Sequence, residues 1–268
     1  MATTKVARRA TTTKIGSEGS GTGNGNGAGN QVRNLILLGL PAGEYSEVFK
    51  KLEFVELPTH SVLHEAGERI NYAYFIDSGL ASVLNVLSDG KSVEVGLAGK
   101  EGFVGLALVV GFSSGSTRVI MQVGGSGYRI AAADLVQALS GCTNLEKTLN
   151  RYAQQLGMQA THVAACNRLH EVDERLARWL LMSQDRLGDD IVPLTQEFLA
   201  HMLGTRRASV TVGAGILQKA GLITYNRGSV KILDRDRLEE ASCECYAAMR
   251  RQSLRWENET KYLATPAD

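Results

Sequence analysis

The chain has 268 residues, 44% of them hydrophobic and 21% charged, with a formal net charge of +1. These values exclude a chain that is disordered throughout and predict two compact domains with a flexible tail. No segment approaches the roughly 18 apolar residues of a membrane helix, no secretory signal is visible, and the cysteines are too sparse for a disulfide scaffold, so we expect a cytoplasmic protein.

The N-terminal 31 residues are predicted to form a flexible tail. Residues 16–30 read GSEGSGTGNGNGAGN and contain no large apolar side chain. Such a segment cannot offset the entropy lost on ordering. The basic residues Lys5, Arg8, Arg9 and Lys14 could contact DNA phosphates, or the tail could simply be solvated.

Residues 32–142 have the pattern of an antiparallel barrel or jelly roll. Short β-branched and aromatic runs alternate with glycine turns every 8 to 12 residues or so. The clearest predicted strands are 72–76, 81–87, 92–97 and 118–123. An Asp89-Gly90 dipeptide separates two of these runs, which is typical of a hairpin.

Residues 143–168 are predicted to form one long helix. Apolar positions recur at alternating steps of four and three, the spacing of a helix that packs along another helix. We therefore expect a homodimer whose interface contains Leu149, Tyr152, Leu156 and Val163. Gly157 and Gln159 interrupt this row of apolar positions, the apolar seam of the helix. The alternative is therefore an amphipathic helix that packs on its own barrel.

A second helix follows and begins the domain predicted for residues 169–250. Its apolar face contains Val172, Leu176, Trp179, Leu180 and Leu187. Its charges are spaced for ion pairs one turn apart, Glu171 with Arg175 and Glu174 with Arg178. Residues 251–268 are interpreted as a C-terminal tail.

The segment after Pro193 predicts a helix-turn-helix. Thr195 is a good N-cap for a short helix, and Gly204 ends that helix. Thr205 then caps a second helix, which runs to Gly221. Two further strands, near 222–225 and 230–233, form a wing.

One face of the second helix has the chemistry of a DNA reader. A helical wheel places Val210, Gly213 and Leu217 toward the core and Arg207, Thr211 and Val212 opposite them. The segment from Thr195 to Arg235 contains six basic residues and only two acidic ones, so it is locally basic. The alternative, that the arginines are merely solvated charge, fits less well with the capped turn and the hairpin. The predicted DNA-binding residues are Thr195, Gln196, Thr205, Arg206, Arg207, Ser209, Thr211, Val212, Arg227 and Lys231.

Three runs in this half of the chain resemble one known family. Residues 171–181 (EVDERLARWLL), 194–200 (LTQEFLA) and 205–211 (TRRASVT) resemble the Crp/Fnr superfamily of bacterial transcription regulators. Over residues 33–250 the resemblance implies an α+β protein with a cyclic-nucleotide-binding-like barrel, a dimerisation helix and a winged helix-turn-helix. It implies double-stranded DNA as partner, with RNA polymerase as a further candidate. In the barrel, Gly79, Gly90 and residues 101–105 (EGFVG) fit the same family.

The candidate effector pocket departs from the members that respond to cyclic AMP. Leu106 stands where those members have a glutamate for the ribose, and Thr117 stands where they have an arginine for the phosphate. Arg118 comes one residue late, and a one-residue shift in a strand turns the side chain to the other face. We expect no cyclic AMP binding. The pocket is assigned to Gly105, Leu106, Thr117, Arg118 and Thr161, for another effector or for none.

The other sensing chemistries have weaker signals. An iron-sulfur cluster of this family needs N-terminal cysteines, and the first cysteine is Cys142. His60 and His64, near the start of the barrel, are interpreted as structural or surface residues and not as haem ligands.

Metal or redox sensing stays open as an alternative function. His162, Cys166 and His170 are spaced four residues apart on the long helix, and Cys243 and Cys245 flank Glu244. Three ligands along one helix span too far for a compact site. We therefore expect no metal and interpret Cys166 as a core residue between surface histidines. No motif of a hydrolase, nucleotidase or metalloprotease occurs, so no enzyme is expected.

Overall fold

A computed structural model of the protein describes residues 31–226 and 228–264, with side chains up to residue 259. Apart from Gln31, the predicted N-terminal tail therefore lies outside the described residues. The same is true of Arg227 and of residues 265–268. Within the described part no helix is both long and apolar enough to cross a membrane.

The N-terminal domain consists of two antiparallel sheets with short helices around them. The strand orders, in the described residues, are β1-β8-β3-β6 and β2-β7-β4-β5. The strands are β1 (Glu53–Leu57), β2 (Val62–His64), β3 (Tyr72–Ile76), β4 (Leu80–Val86), β5 (Ser92–Ala98), β6 (Phe103–Val104), β7 (Arg118–Val123) and β8 (Gly125–Ala131). The helices are α1 (Leu35–Leu38), α2 (Ala42–Phe49), α3 (Leu106–Val109) and α4 (Ala132–Gly141). The predicted barrel is confirmed, with the strands within one residue of their expected bounds.

Asn34 fixes the start of this domain. Its side chain accepts hydrogen bonds from the first amides of α1, at Ile36 and Leu37, and so caps that helix. The same side chain donates to the carbonyls of Ile76 and Gly102, at 2.7 and 2.9 Å. Because Asn34 is fully buried, this one amide joins the entering chain to two segments of the barrel.

The long helix α5 (Thr143–Leu169) has the predicted length, but its apolar seam faces its own barrel. Leu149 is 0% exposed, Tyr152 4% and Val163 6% within the single chain. Leu156 packs so closely on β5 that a Cβ added at Gly96 would lie 2.5 Å from its Cδ1. Leu149 and Tyr152 belong to the core of the barrel, and the half-buried Leu156 packs against it. The burial of this part of the seam needs no second subunit, so the assignment of Leu149 and Tyr152 to a dimer interface is corrected. The assignment of Leu156 and Val163 stays a prediction.

The C-terminal domain is a winged helix-turn-helix. Its elements are α6 (Val172–Leu187), β9 (Ile191–Pro193), α7 (Gln196–Met202), α8 (Arg207–Lys219), β10 (Ile223–Asn226), β11 (Ser229–Ile232), α9 (Arg235–Glu240) and α10 (Glu244–Ala264). The sheet has the order β10-β11-β9. The predicted boundary at residue 250 is wrong, because α10 continues to Ala264 and packs on α5 and α6.

Helix α6 is the centre of this domain, and its arginines point inward. Arg175 and Arg178 are 6% and 2% exposed. Arg175 donates to Asn167 Oδ1 and to the carbonyl of Leu203. The expected ion pairs with Glu171 and Glu174 do not form. Those glutamates instead make a capping box at the start of α6.

Gly213 marks the closest approach of α8 to α6. A Cβ added there would lie 3.2 Å from the Asp173 backbone nitrogen, whereas one added at Gly215 would meet nothing within 4 Å. We expect Gly213→Ala to lower the free energy of unfolding by about 1–3 kcal/mol through overpacking. Gly215→Ala, the matched control on the same helix, should raise it by about 0.5–1 kcal/mol. Urea denaturation of both variants measures this, and a stabilised Gly213→Ala would show that α6 and α8 are not packed this closely.

Candidate nucleic-acid interface

Helices α7 and α8 form the helix-turn-helix. The Thr195 side chain accepts a hydrogen bond from the Phe198 amide at 3.2 Å, which confirms the predicted N-cap of α7. Gly204 has φ of +57°, a left-handed conformation that suits glycine at the end of a helix. The predicted cap of α8 is wrong by one residue. The N-cap is Arg206, and no side chain caps this helix.

The two faces of α8 are divided as the helical wheel predicts. Val210, Gly213, Ala214 and Leu217 are buried against the domain. The opposite face exposes Arg206, Arg207, Thr211 and Val212 to solvent, and Ser209 is half-buried beside them. Val212 is 65% exposed, so its side chain is accessible for a contact on this face.

Polar contacts hold α7 and α8 in register on the exposed side. The Thr211 hydroxyl donates to Gln196 Oε1 at 2.8 Å, which links the first residue of α7 to the middle of α8. Arg207 lies 3.9 Å from the Glu197 carboxylate, and both side chains are mostly exposed. A surface pair of this length contributes little to stability, so the Arg207 guanidinium is free to exchange Glu197 for a nucleic-acid acceptor.

The wing is the β10–β11 hairpin. Lys231 is exposed on β11 and pairs in register with Thr224 on β10. Thr205 is half-buried in the turn before α8. Arg227, the other predicted wing contact, lies outside the described residues.

The predicted effector residues are only partly brought together. Gly105 has φ of +119° and precedes α3, which begins at the half-buried Leu106. On β7, Arg118 donates to Glu65 Oε2 at 2.6 Å, and its neighbour Thr117 is half-buried. Thr161 is exposed on α5 and lines a cleft against α10. Within the single chain α10 lies beside Thr161, and the assignment of Thr161 to the effector pocket stays a prediction.

A cavity of about 380 Å³ lies between α5, α6 and α10. Its lining includes Tyr152, Met158, Arg186, Tyr246 and Met249. The sequence does not predict this cavity, because part of one wall, Ser253, Leu254 and Glu257, lies in the segment predicted to be a C-terminal tail.

Glu94 on β5 is a buried acid that the sequence reading missed. Its carboxylate accepts a hydrogen bond from Trp179 Nε1 at 2.8 Å, and the Ser82 hydroxyl lies 2.7 Å from its other oxygen. Burial raises the pKa of Glu94 to about 7, although these hydrogen bonds and the charges of Arg178 and Arg186 act against the rise. This contact joins the barrel to α6.

Two cysteine-containing pairs that are distant in the sequence meet in the structure. Cys166 and His170, at the end of α5, lie against Cys243 and Cys245, at the start of α10, with all four ligand atoms within 4.8 Å of one another. The hydrogen bond from Cys243 and the nearby Arg178 charge lower the pKa of Cys166. His162, the third residue of the predicted stripe, is not part of this cluster.

Comparisons with known proteins agree with this architecture. A family model described as a Crp-like helix-turn-helix domain matches residues 174–241, and one described as a cyclic nucleotide-binding domain matches residues 54–141. Together the two matches span more than half of the chain. A search of curated protein sequences found no match.

Solved structures with the same fold have low sequence identity to this chain. FixK2 from Bradyrhizobium japonicum has a TM-score of 0.62 at 16% identity, covering 72% of this chain and 98% of its own. The c-di-GMP-responsive global regulator CLP from Xanthomonas campestris has a TM-score of 0.61 at 17% identity, covering 72% and 99%. TTHB099 from Thermus thermophilus, a CRP-family transcriptional regulator, has a TM-score of 0.57 at 20% identity, covering 70% and 96%.

Proposed function

This chain belongs to the Crp/Fnr superfamily of transcription regulators, and we propose from this premise that it binds a two-fold symmetric DNA operator as a homodimer. The family consists of DNA-binding regulators and not of enzymes, and no catalytic role is proposed here. RNA polymerase is the partner through which operator binding would change transcription.

The exposed face of α8 carries the proposal. Its first turn presents Arg206 and Arg207, and Thr211 and Val212 follow one turn later. A helix fits the major groove, which is about 12 Å wide. An arginine there donates two hydrogen bonds to a guanine, and Val212 can meet a thymine methyl. Arg207 is assigned to base reading, whereas Lys231 on the wing is assigned to a phosphate.

The proposed dimer uses the face of α5 that the barrel leaves exposed. That face includes Gln154, Gly157, Thr161 and Ala164. A Cβ at Gly157 would meet nothing within 4 Å, and small side chains here let a second helix approach closely. A dimer arranged in this way places one recognition helix in each half-site, about 34 Å apart.

The barrel is proposed to respond to something other than cyclic AMP. Leu106 supplies no group for a ribose, and Thr117 supplies no positive charge for a phosphate. The neighbouring Arg118 is already paired with Glu65 at 2.6 Å. A buried phosphate without a cationic partner is costly. The Xanthomonas regulator responds to a different nucleotide, c-di-GMP, which supports the view that the fold serves more than one effector.

The proposal is tested by selecting random duplex DNA on the full-length protein, with and without cyclic AMP. We expect an inverted repeat to be enriched, with half-site centres one helical turn apart, and enrichment unchanged by cyclic AMP. Failure to enrich any sequence at low salt would overturn the DNA-binding proposal. A single half-site would overturn the dimer, and a motif that appears only with cyclic AMP would overturn the assignment of the pocket.

A further inference from the structure

The cysteine and histidine cluster joins the last turn of α5 to the first turn of α10. The Cys166 and Cys243 sulfurs lie 3.4 Å apart, and Cys245 Sγ lies 3.7 Å from His170 Nδ1. The three cysteines are buried and form no disulfide with one another, and His170 is half-buried. Each of the two helix ends therefore contributes two potential metal ligands to one compact volume.

We propose that Cys166, His170, Cys243 and Cys245 form a structural metal site of the Cys₃His type, which takes zinc or a similar thiophilic divalent ion. Zinc binds thiolates at about 2.3 Å in a tetrahedron, so two sulfur ligands lie about 3.8 Å apart. The distances of 3.4 and 3.7 Å within the cluster are close to that edge length. Hard ions such as magnesium prefer oxygen ligands and do not suit this donor set.

The charges around the cluster support a bound anionic centre. A divalent ion with three thiolates and a neutral histidine has a net charge of −1. Arg175 and Arg178 are buried beside it, and neither forms a salt bridge with any residue that the structure describes. The Nε atoms of both arginines also lack hydrogen-bond partners there. Arg178 also faces the buried Glu94, whereas no carboxylate of the described residues acts on Arg175. Burying a guanidinium without a carboxylate is costly, and an anionic metal centre beside Arg175 offsets part of that cost.

Local backbone structure places the four ligands. Cys166 and His170 are four residues apart and therefore lie on the same face of α5, where His170 caps the helix end. Cys243 comes immediately before α10, and Cys245 lies in its first turn. No helix has to bend for the ligands to converge.

A metal here would connect the end of α5 to the C-terminal domain. The cluster belongs to the same hydrophobic core as Val210 and Leu217 of α8. Arg175, next to the cluster, donates to the carbonyl of Leu203 in the helix-turn-helix. Metal loading would thus tie the end of α5 to the helices that carry the recognition face. Only this regulatory consequence rests on the proposed function, whereas the metal site stands independently of it.

Metal content of the full-length protein tests the site without reference to DNA. Protein purified under reducing conditions should retain about one zinc ion per chain, as measured by inductively coupled plasma mass spectrometry. After chelation, Co²⁺ alone should restore a tetrahedral ligand-field spectrum with thiolate-to-cobalt charge transfer. Cys245→Ser and His170→Asn should lose the stoichiometric ion, whereas the control variants Cys142→Ser and His162→Asn should keep it.

Alkylation of the cysteines in the unaltered protein tests the site even if a cluster variant fails to fold. In the unaltered protein, Zn²⁺ should block alkylation of Cys166, Cys243 and Cys245 and leave Cys142 unaffected. Chelation should lower the Tm, because an ion that binds only the folded state stabilises it. Absence of bound metal together with no cobalt spectrum would overturn the proposal. A mass lower by two hydrogens, from a Cys166–Cys243 disulfide in freshly purified protein, would replace it with a redox pair.

Discussion

Leu149→Asp is expected to unfold the sensor domain and not to produce a folded monomer. Leu149 is 0% exposed and packs in the barrel core with Leu145 and Tyr152. The substitution removes a buried apolar side chain, at about 3–5 kcal/mol, and adds an unpaired buried carboxylate. The sum is comparable to the whole stability of a domain, about 5–15 kcal/mol. Circular dichroism should show that the variant has lost folded structure already without urea, so that its urea titration has no folded baseline.

The exposed neighbour Asn150 provides the matched control for this prediction. Asn150→Asp adds the same charge one residue along α5, where the side chain faces solvent. It should change the free energy of unfolding by less than about 0.5 kcal/mol. A folded Leu149→Asp protein that light scattering shows to be monomeric would restore this residue to a dimer interface.

Folding stability should fall as the pH rises through the pKa of Glu94. Burial raises that pKa from 4.5 to about 7. In this range the folded protein binds the proton more tightly than the unfolded chain does, so the stabilisation is full below the unfolded pKa and is lost as the pH passes about 7. The difference corresponds to about 3 kcal/mol. Arg178 and Arg186 are the charged side chains that act on Glu94.

The contacts of Ser82 agree with a protonated Glu94. The Ser82 hydroxyl lies 2.7 Å from Glu94 Oε2 and 2.5 Å from Gln122 Oε1. One hydroxyl proton cannot serve two acceptors at once. A protonated Glu94 donates to Ser82, which then donates to Gln122. With the Gln122 amide turned, its otherwise unpartnered Nε2 donates to Ser82 and Ser82 donates to Glu94, so the Glu94→Gln variant below separates the two arrangements.

Glu94→Gln tests this account of the pH dependence. The glutamine stays neutral and can still accept from Trp179, so the variant should be more stable than the unaltered protein at pH 8. The difference between the two should shrink toward pH 5. Urea denaturation across this range measures it, with Glu56→Gln as the exposed control on β1. Parallel curves for Glu94→Gln and the unaltered protein would mean that Glu94 ionises as it would on the surface.

The elements that the sequence predicts well are those set by local chemistry. The strands are recognisable from β-branched runs between glycines, and β3 and β7 have their predicted bounds. The helix-turn-helix follows from Thr195 and Gly204, a cap and a left-handed turn that need no distant contact. The wheel for α8 is correct because a helix has a fixed period.

The incorrect or missed assignments depend on contacts between distant segments. The seam containing Leu149 correctly predicts a buried helix face, but periodicity does not say whether a barrel or a second subunit covers it. The charge spacing on α6 predicts surface ion pairs, but Arg175 is buried and donates to Asn167 and to the Leu203 carbonyl instead. The ligand cluster was missed because Cys166 and Cys243 are 77 residues apart. Its signal in the sequence is two short-spaced pairs, Cys166 with His170 and Cys243 with Cys245, and spacing along the chain does not show that the two pairs meet.

The most direct test of the central claim compares Arg207→Ala with Lys231→Ala on the selected operator and on a scrambled duplex. Arg207→Ala should reduce the free-energy preference for operator by about 1–3 kcal/mol. Lys231→Ala should weaken both duplexes alike and reduce the salt slope by about one unit. If Arg207→Ala leaves operator preference intact, α8 does not read the sequence as described, and the account is contradicted.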